Sequence, residues 1–330
     1  MATTITTIGG NDVYKGDGAA DTIAAGAGNN TINAAAGANT ITADNGINTI
    51  TAEGGADTIT LGSGINTITA GAGANTITTQ EGYNGPRKSN TITTLEGADT
   101  ITVSNGNNDI DAGSGANTIT AGNGNNNITG GAGIDTITVG NGDNVIIAGS
   151  VGANTINAGS GNNTITGGSG IDTVTAMGDQ RSTNTINVGD GTNTVTTGDG
   201  VDEITAGSDG DTITSGGGND TVKSGGGSDT VTLGDGDDKA YYTLADNIGD
   251  SNIFAGGIGI DTLYLELTAL EWASSAVMED RGRWAELVNG GDVAPAFVFG
   301  AFELQISGFE EVQVSVVSVV GVISVESFLL

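Results

Sequence analysis

The sequence predicts an all-β solenoid, a stack of short strands rather than a globule. Three observations carry this. From Asp12 to Asp238 an Asn or Asp recurs every nine residues with almost no loss of phase, over 25 rows. Each row divides into a Gly-rich turn and a strand of the Thr-Ile-Thr type: polar, apolar, polar. Gly is 59 of 330 residues and aromatics are 4%, too few large side chains for a thick core. A short fixed period means stacked supersecondary units, each covered by its neighbours.

The rows are exemplified by GAGANTITA, GNGNNNITG, GAGIDTITV and GGGSDTVTL. The Asn/Asp positions run 12, 21, 30, 39, 48, 57, 66 and 75, then jump to 90 and continue 99, 108, 117, 126, 135 and 144. A one-residue slip gives 154, 163 and 172; a three-residue insertion gives 184, 193, 202, 211, 220, 229 and 238. In each row the alternation is that of a half-buried strand, with Ile or Val inward and Thr outward. Gly before the Asn/Asp permits backbone that other residues adopt only at a cost.

Charge and composition narrow the chemistry. The formal charge is −31, from 39 acidic and 8 basic residues, which argues against nucleic acid and anionic membrane surfaces as partners. With no Cys and no His, there are no disulfides, no thiol nucleophiles, no His bases and no Cys/His zinc sites. Oxygen ligands remain, and these suit calcium. MATTITTIGG lacks the basic start and apolar run of a signal peptide, and no stretch is long and apolar enough to span a bilayer.

These rows resemble the hemolysin-type calcium-binding (RTX) repeat, GGxGxDxUx, over roughly residues 8–265. The resemblance implies a parallel β-roll with two nonapeptides per coil, hence about twelve coils, followed by a small capping region of strands and a short helix. With the change of composition after Asp238, it divides the chain into a calcium-binding roll at 1–240 and a capping, assembly and secretion-signal region at 241–330. It also implies several calcium ions between the turns, held by the motif Asp and by turn carbonyls. The positions of this chain that match are Asp21, Asp57, Asp99, Asp135, Asp172, Asp202, Asp211, Asp220, Asp229 and Asp238, with Gly216, Gly218, Gly225, Gly227, Gly234 and Gly236 in the turns.

The chain departs from the family in an ordered way. Only 11 of the 25 rows carry Asp, and 14 carry Asn. Counting rows from Asp12, the odd edge is Asn from Asn30 through Asn184. On the even edge Asp21, Asp57, Asp99, Asp135 and Asp172 fall at every fourth row, and from Asp202 to Asp238 all five rows are Asp. Stacked carboxylates repel without a cation, so the C-terminal rows read as full calcium sites. Asn can ligate through its amide oxygen but brings no charge, which lowers calcium affinity. The Asn rows therefore read as weak sites or, preferably, as an amide ladder.

Two insertions interrupt the roll. Gln80–Ser89 carries Arg87 and Lys88, and Met177–Thr183 carries Arg181. They read either as loop drift or as basic knobs that dock on a neighbouring acidic wall. After Asp238, GGIGIDTLYLEL is a last degenerate repeat. LTALEWASSAVMEDRGRWAELVNGG then predicts one or two helices broken near Gly282, with Trp272 and Trp284 capping the open end of the core. Strands follow. The last, FEEVQVSVVSVVGVISVESFLL, contains Val314, Val316, Val319 and Val322; it reads as a capping strand or as an edge that pairs with another chain. Glu326-Ser327-Phe328-Leu329-Leu330 loosely resembles an uncleaved C-terminal signal of the type I secretion class, with Ser327 intervening.

No catalytic constellation is visible, and the repeats begin near residue 8, so no enzyme activity is expected. The leading expectation is a secreted structural protein that folds on calcium outside the cell and self-assembles into a surface layer, filament or matrix. Its expected partners are copies of itself, the type I secretion machinery and a cell-surface glycan, without integration into a membrane. One alternative is an ice-binding solenoid using Thr-x-Thr arrays such as Thr40/Thr42 and Thr58/Thr60. The other is a calcium-dependent adhesin or carbohydrate binder.

Overall fold

A computed structural model describes residues 2–80, 90–289, 296–318 and 321–329. The chain forms two compact units, Met1–Gly168 and Ser169–Leu330.

The first unit is a parallel β-solenoid. Its described strands run from Thr4–Thr6 to Thr164–Thr166, and consecutive strands alternate between two parallel sheets, so two rows complete one coil and the unit has nine coils. Register is set by the apolar residue of each strand. Ile23, Ile41, Ile59 and Ile77 stack in one sheet; Ile32, Ile50, Ile68 and Ile92 stack in the other. All are at most 2% exposed. Each such burial is worth roughly 1.5–3 kcal/mol, and a one-residue slip would turn every Ile outward. The flanking threonines form in-register exposed arrays on both sheets, Thr40 beside Thr58 and Thr49 beside Thr67.

The second unit continues the same construction from Thr173–Ala176 and Thr185–Gly189 to Thr230–Asp235 and Lys239–Thr243. Two further coils follow after the nine-residue spacing is lost. Strands Asn252–Ile258 and Thr262–Thr268 form one, and Leu304–Ser307 and Glu311–Ser318 form the next. The 25 rows alone predicted about twelve coils; the degenerate tail adds coils that the period does not announce. Each sheet then ends on an antiparallel strand, Phe297–Phe299 in one and Gly321–Leu329 in the other.

Between strands Thr262–Thr268 and Phe297–Phe299 the chain forms helix α1, Ala269–Trp272, and helix α2, Ser275–Asn289. Thr268 and Glu271 cap α1 reciprocally. Trp284, Phe297, Phe299 and Phe302 form a packed aromatic cluster. Tyr242 joins it, its hydroxyl donating to the Phe302 carbonyl at 3.1 Å. Asp280, buried beside Arg283, accepts the Ala301 N–H at 2.7 Å and ties α2 to the following turn.

Three expectations are corrected here. The helical break falls at Ala273–Ser274, and α2 runs through Gly282, because a single exposed Gly costs a helix only about 1 kcal/mol. Of the two tryptophans, Trp284 closes the core at 4% exposure, whereas Trp272 is half-exposed with the Arg281 guanidinium 3.5 Å from its ring centroid. The Val-rich tail is a hairpin, not one strand, since Glu311–Ser318 pairs antiparallel with Gly321–Leu329. Among the described residues no helix is long and apolar enough to cross a membrane.

Candidate metal sites

Each row ends its turn by burying the Asn or Asp side chain beneath the coil; from Asp21 to Asp238 these residues are largely sealed from solvent, Asn48, Asp135, Asn144 and Asn184 completely. One side-chain oxygen, Oδ1, has the same task whichever residue is present. It accepts the backbone N–H of the Asn or Asp one coil earlier. Asn117 donates to Asp135 at 2.8 Å and Asp135 to Asn154 at 2.9 Å; Asp202 donates to Asp220 at 2.8 Å and Asp220 to Asp238 at 2.7 Å. The side chain thereby satisfies a backbone donor that the turn would otherwise leave buried and unpaired.

The second terminal atom separates the two residue types. In most Asn rows Nδ2 donates to a carbonyl of its own turn four or two residues back, and in many to both. Asn75 reaches Gly71 O at 3.0 Å and Gly73 O at 2.9 Å; Asn193 reaches Gly189 O at 3.1 Å and Gly191 O at 2.7 Å. Along one edge Nδ2 also donates to the next Oδ1, from Asn30 to Asn48 at 2.9 Å, Asn108 to Asn126 at 2.8 Å and Asn144 to Asn163 at 2.9 Å. The amide ladder favoured for this edge is therefore present.

In Asp rows the second atom is a carboxylate oxygen and has no hydrogen to offer. Oδ2 of Asp57, Asp99, Asp135, Asp202, Asp211, Asp220, Asp229 and Asp238 is buried with no hydrogen-bond partner. Burial pushes the carboxyls of Asp57, Asp135, Asp202 and Asp238 above the usual range. It takes Asp211 and Asp220 up to about 7 and Asp229 up to about 6. Burial is the main cause, and stacked carboxylates add to it: Asp229 raises Asp211, while Asp202 and Asp238 raise Asp220. The fold thus creates sites that demand a proton or a cation.

The space beside Asp135 Oδ2 is defined. A methyl group placed on Gly130 would lie 2.7 Å from Asp135 Oδ2 and 2.4 Å from the Ala148 carbonyl oxygen. Among the described residues no three acidic side chains converge on one point, so a cation here would rest on one carboxylate and on turn carbonyls. That is an all-oxygen, hard donor set of the kind calcium takes.

The matching glycines line these turns for a backbone reason. Gly216, Gly218, Gly225, Gly227, Gly234 and Gly236 all have positive φ. Coils stack so closely that a Cβ on Gly236 would sit 1.8 Å from the Gly218 carbonyl oxygen. Their placement leaves carbonyls facing the next turn.

The family model described as the RTX calcium-binding nonapeptide repeat (4 copies) matches residues 6–41, 35–68, 62–84, 88–119, 120–151, 146–174, 182–213 and 205–240. The chain belongs to the RTX calcium-binding nonapeptide repeat family. Its repeats are calcium-binding motifs, so calcium is the ion that the orphaned Asp oxygens are matched to. No curated protein matches the chain.

The candidate residues sort as follows. Asp57, Asp99, Asp135, Asp202, Asp211, Asp220, Asp229 and Asp238 have the buried orphan oxygen. Asp172 holds the same register, its N–H donating to Asn193 Oδ1 at 2.8 Å. Asp21 differs from these: Tyr14 donates its hydroxyl to Oδ2 at 3.0 Å and Thr3 its N–H to Oδ1 at 2.9 Å. Both of its carboxylate oxygens therefore have a protein donor. Arg181 is exposed beside Asp179. Val314 and Val316 are corrections as assembly residues, being buried at 5% and 2% exposure, with Val314 lining the same small cavity as Trp284. Arg87, Lys88 and Val319 lie outside the described residues, as does the side chain of Val322.

Sequence reasoning missed Asp261. It accepts the Asp238 N–H at 2.9 Å, its own N–H donates to Glu310 at 2.8 Å, its Oδ2 is a buried orphan, and burial pushes it to about 7. The signal was there in Gly257-x-Gly259-x-Asp261. Asn252, which continues the other edge by accepting the Asp229 N–H at 2.8 Å, carries no Gly-x-Gly signature.

Proposed function

We propose that this RTX chain is a secreted structural protein that completes its fold on calcium outside the cell and then assembles with copies of itself. The observation that carries the reading is the uninterrupted stack of calcium-demanding turns. In the second unit Asp202, Asp220, Asp238 and Asp261 succeed one another on a single edge through N–H to carboxylate bonds. A calcium ion held by these carboxylates and turn carbonyls supplies the counter-charge that the buried oxygens lack.

Coupling metal to folding suits export through the type I class of secretion, because low calcium inside keeps the Asp rows open and high calcium outside closes them. Assembly is supported by strand Gly321–Leu329, the last in its sheet, whose outer edge has no strand partner among the described residues. A free strand edge is a template for another chain. Net charge −31 opposes such contact until divalent cations screen it. The reading assigns the chain no catalytic role.

Negative-stain electron microscopy of the purified chain, in chelator and in millimolar calcium, tests this. Sheets or fibres that form only with calcium are expected. Isolated particles at high protein concentration in calcium would remove self-assembly and leave a calcium-binding monomer.

A further inference from the structure

We infer that along the edge from Asn30 to Asn163 the side-chain amide of each row takes the place of a cation, so that this edge closes without metal and calcium in this unit is confined to Asp rows. This rests on the calcium reading of the Asp rows and assigns the remaining rows.

Asn126 and Asp135 show the exchange. Both accept a backbone N–H through Oδ1 and both pass one on: Asn108 to Asn126 at 3.2 Å and Asn126 to Asn144 at 3.1 Å, against 2.8 and 2.9 Å around Asp135. Asn126 Nδ2 then lies among three oxygens: Gly122 O at 3.1 Å, Gly124 O at 3.0 Å and Asn144 Oδ1 at 2.9 Å. Its two hydrogens supply the positive end those oxygens require. At Asp135 the corresponding atom is an oxygen, buried and without a donor. One substituted atom thus converts a self-satisfied turn into one that needs a cation.

The same edge carries two further amide lanes on its solvent side. Asn105 Oδ1 accepts the Asn123 N–H and Asn123 Oδ1 the Asn141 N–H, each at 2.8 Å. Asn107 accepts the Asn125 N–H at 2.9 Å, and Asn125 accepts the Asp143 N–H at 3.0 Å. Three side-chain ladders therefore tie coil to coil here through hydrogen bonds alone. On the opposite edge of this unit Asp57, Asp99 and Asp135 alternate with Asn39, Asn75 and Asn117, so cations there fall every second coil, roughly 10 Å apart. That spacing softens their mutual repulsion.

The test is the number of calcium ions bound per full-length chain, by equilibrium dialysis with metal analysis, for wild type, N126D and D135N. N126D reproduces on the Asn edge the Asn–Asp–Asn setting that Asp135 has between Asn117 and Asn154. One ion more is expected for N126D and one fewer for D135N. N126D should melt lower than wild type in chelator and recover in calcium; D135N should melt no lower than wild type in chelator. If D135N loses an ion but N126D, folded by circular dichroism, gains none, the amide exchange is wrong and the calcium reading stands. If neither variant changes the count, the calcium reading of these rows fails. Should N126D not fold even in calcium, D135N decides alone, since a lower melting point in chelator would show that the amide does not replace the cation.

Discussion

Asn and Asp differ at one terminal atom, and at the end of each Gly-rich turn that atom sets what the turn requires. Where it is Nδ2 the turn carbonyls are satisfied; where it is Oδ2 they face a second acceptor. The consequence for pH has a definite sign. Asp211, Asp220 and Asp261 bind protons up to about pH 7 when folded, against about 3.9 when unfolded. Without calcium the folded state therefore holds more protons between those values, and stability falls as pH rises. In chelator the thermal midpoint should be higher at pH 5 than at pH 8. In calcium the order should reverse, because the ion needs the deprotonated carboxylate. Differential scanning fluorimetry checks both; a midpoint in chelator that rises with pH contradicts the raised carboxyls. A second prediction concerns stacking. With its Cβ 1.8 Å from the Gly218 carbonyl oxygen and φ at +147°, Gly236→Ala should cost at least about 1–3 kcal/mol, read from denaturant melts in calcium.

At the scale of the element, the nine-residue period made almost every strand from Val13–Lys15 to Lys239–Thr243 legible, because each needs only one inward Ile or Val and one turn. What escaped was set by tertiary contact. Gly282 reads as a helix breaker locally, yet α2 passes through it because Trp284 and Asp280 anchor the helix on either side. Since nothing lies within 4 Å of a Cβ at this position, Gly282→Ala should raise stability by up to about 1 kcal/mol, seen as a higher thermal midpoint; a lower one would mean the helix is not continuous there. Val314 and Val316 looked like a sticky edge, since a Val-rich alternation does not say which of its faces is covered. The face is fixed by helix α2 and Trp284, which the strand's own sequence does not reveal. The regular row of Asp21 does not announce that the Tyr14 hydroxyl, from the row before, donates to its Oδ2.

For the whole molecule, the sequence made the solenoid of each unit and its two edges legible, including the Asn and Asp regimes, because register in a parallel stack preserves row order. It did not show where the stack ends. Asn252 stands 14 residues after Asp238, and Glu310 takes the place of a motif Asp, so pattern alone stops before the structure does. The central claim is that calcium dependence follows the identity of the row. Hydrogen exchange of the full chain, followed by mass spectrometry in chelator and through a calcium titration, reads it directly. Turns ending at Asn108, Asn126 and Asn144 should be protected in chelator and change little. Turns ending at Asp202, Asp220 and Asp238 should be open in chelator and become protected as calcium is added. Protection appearing in all rows together, at one calcium concentration, would contradict the account.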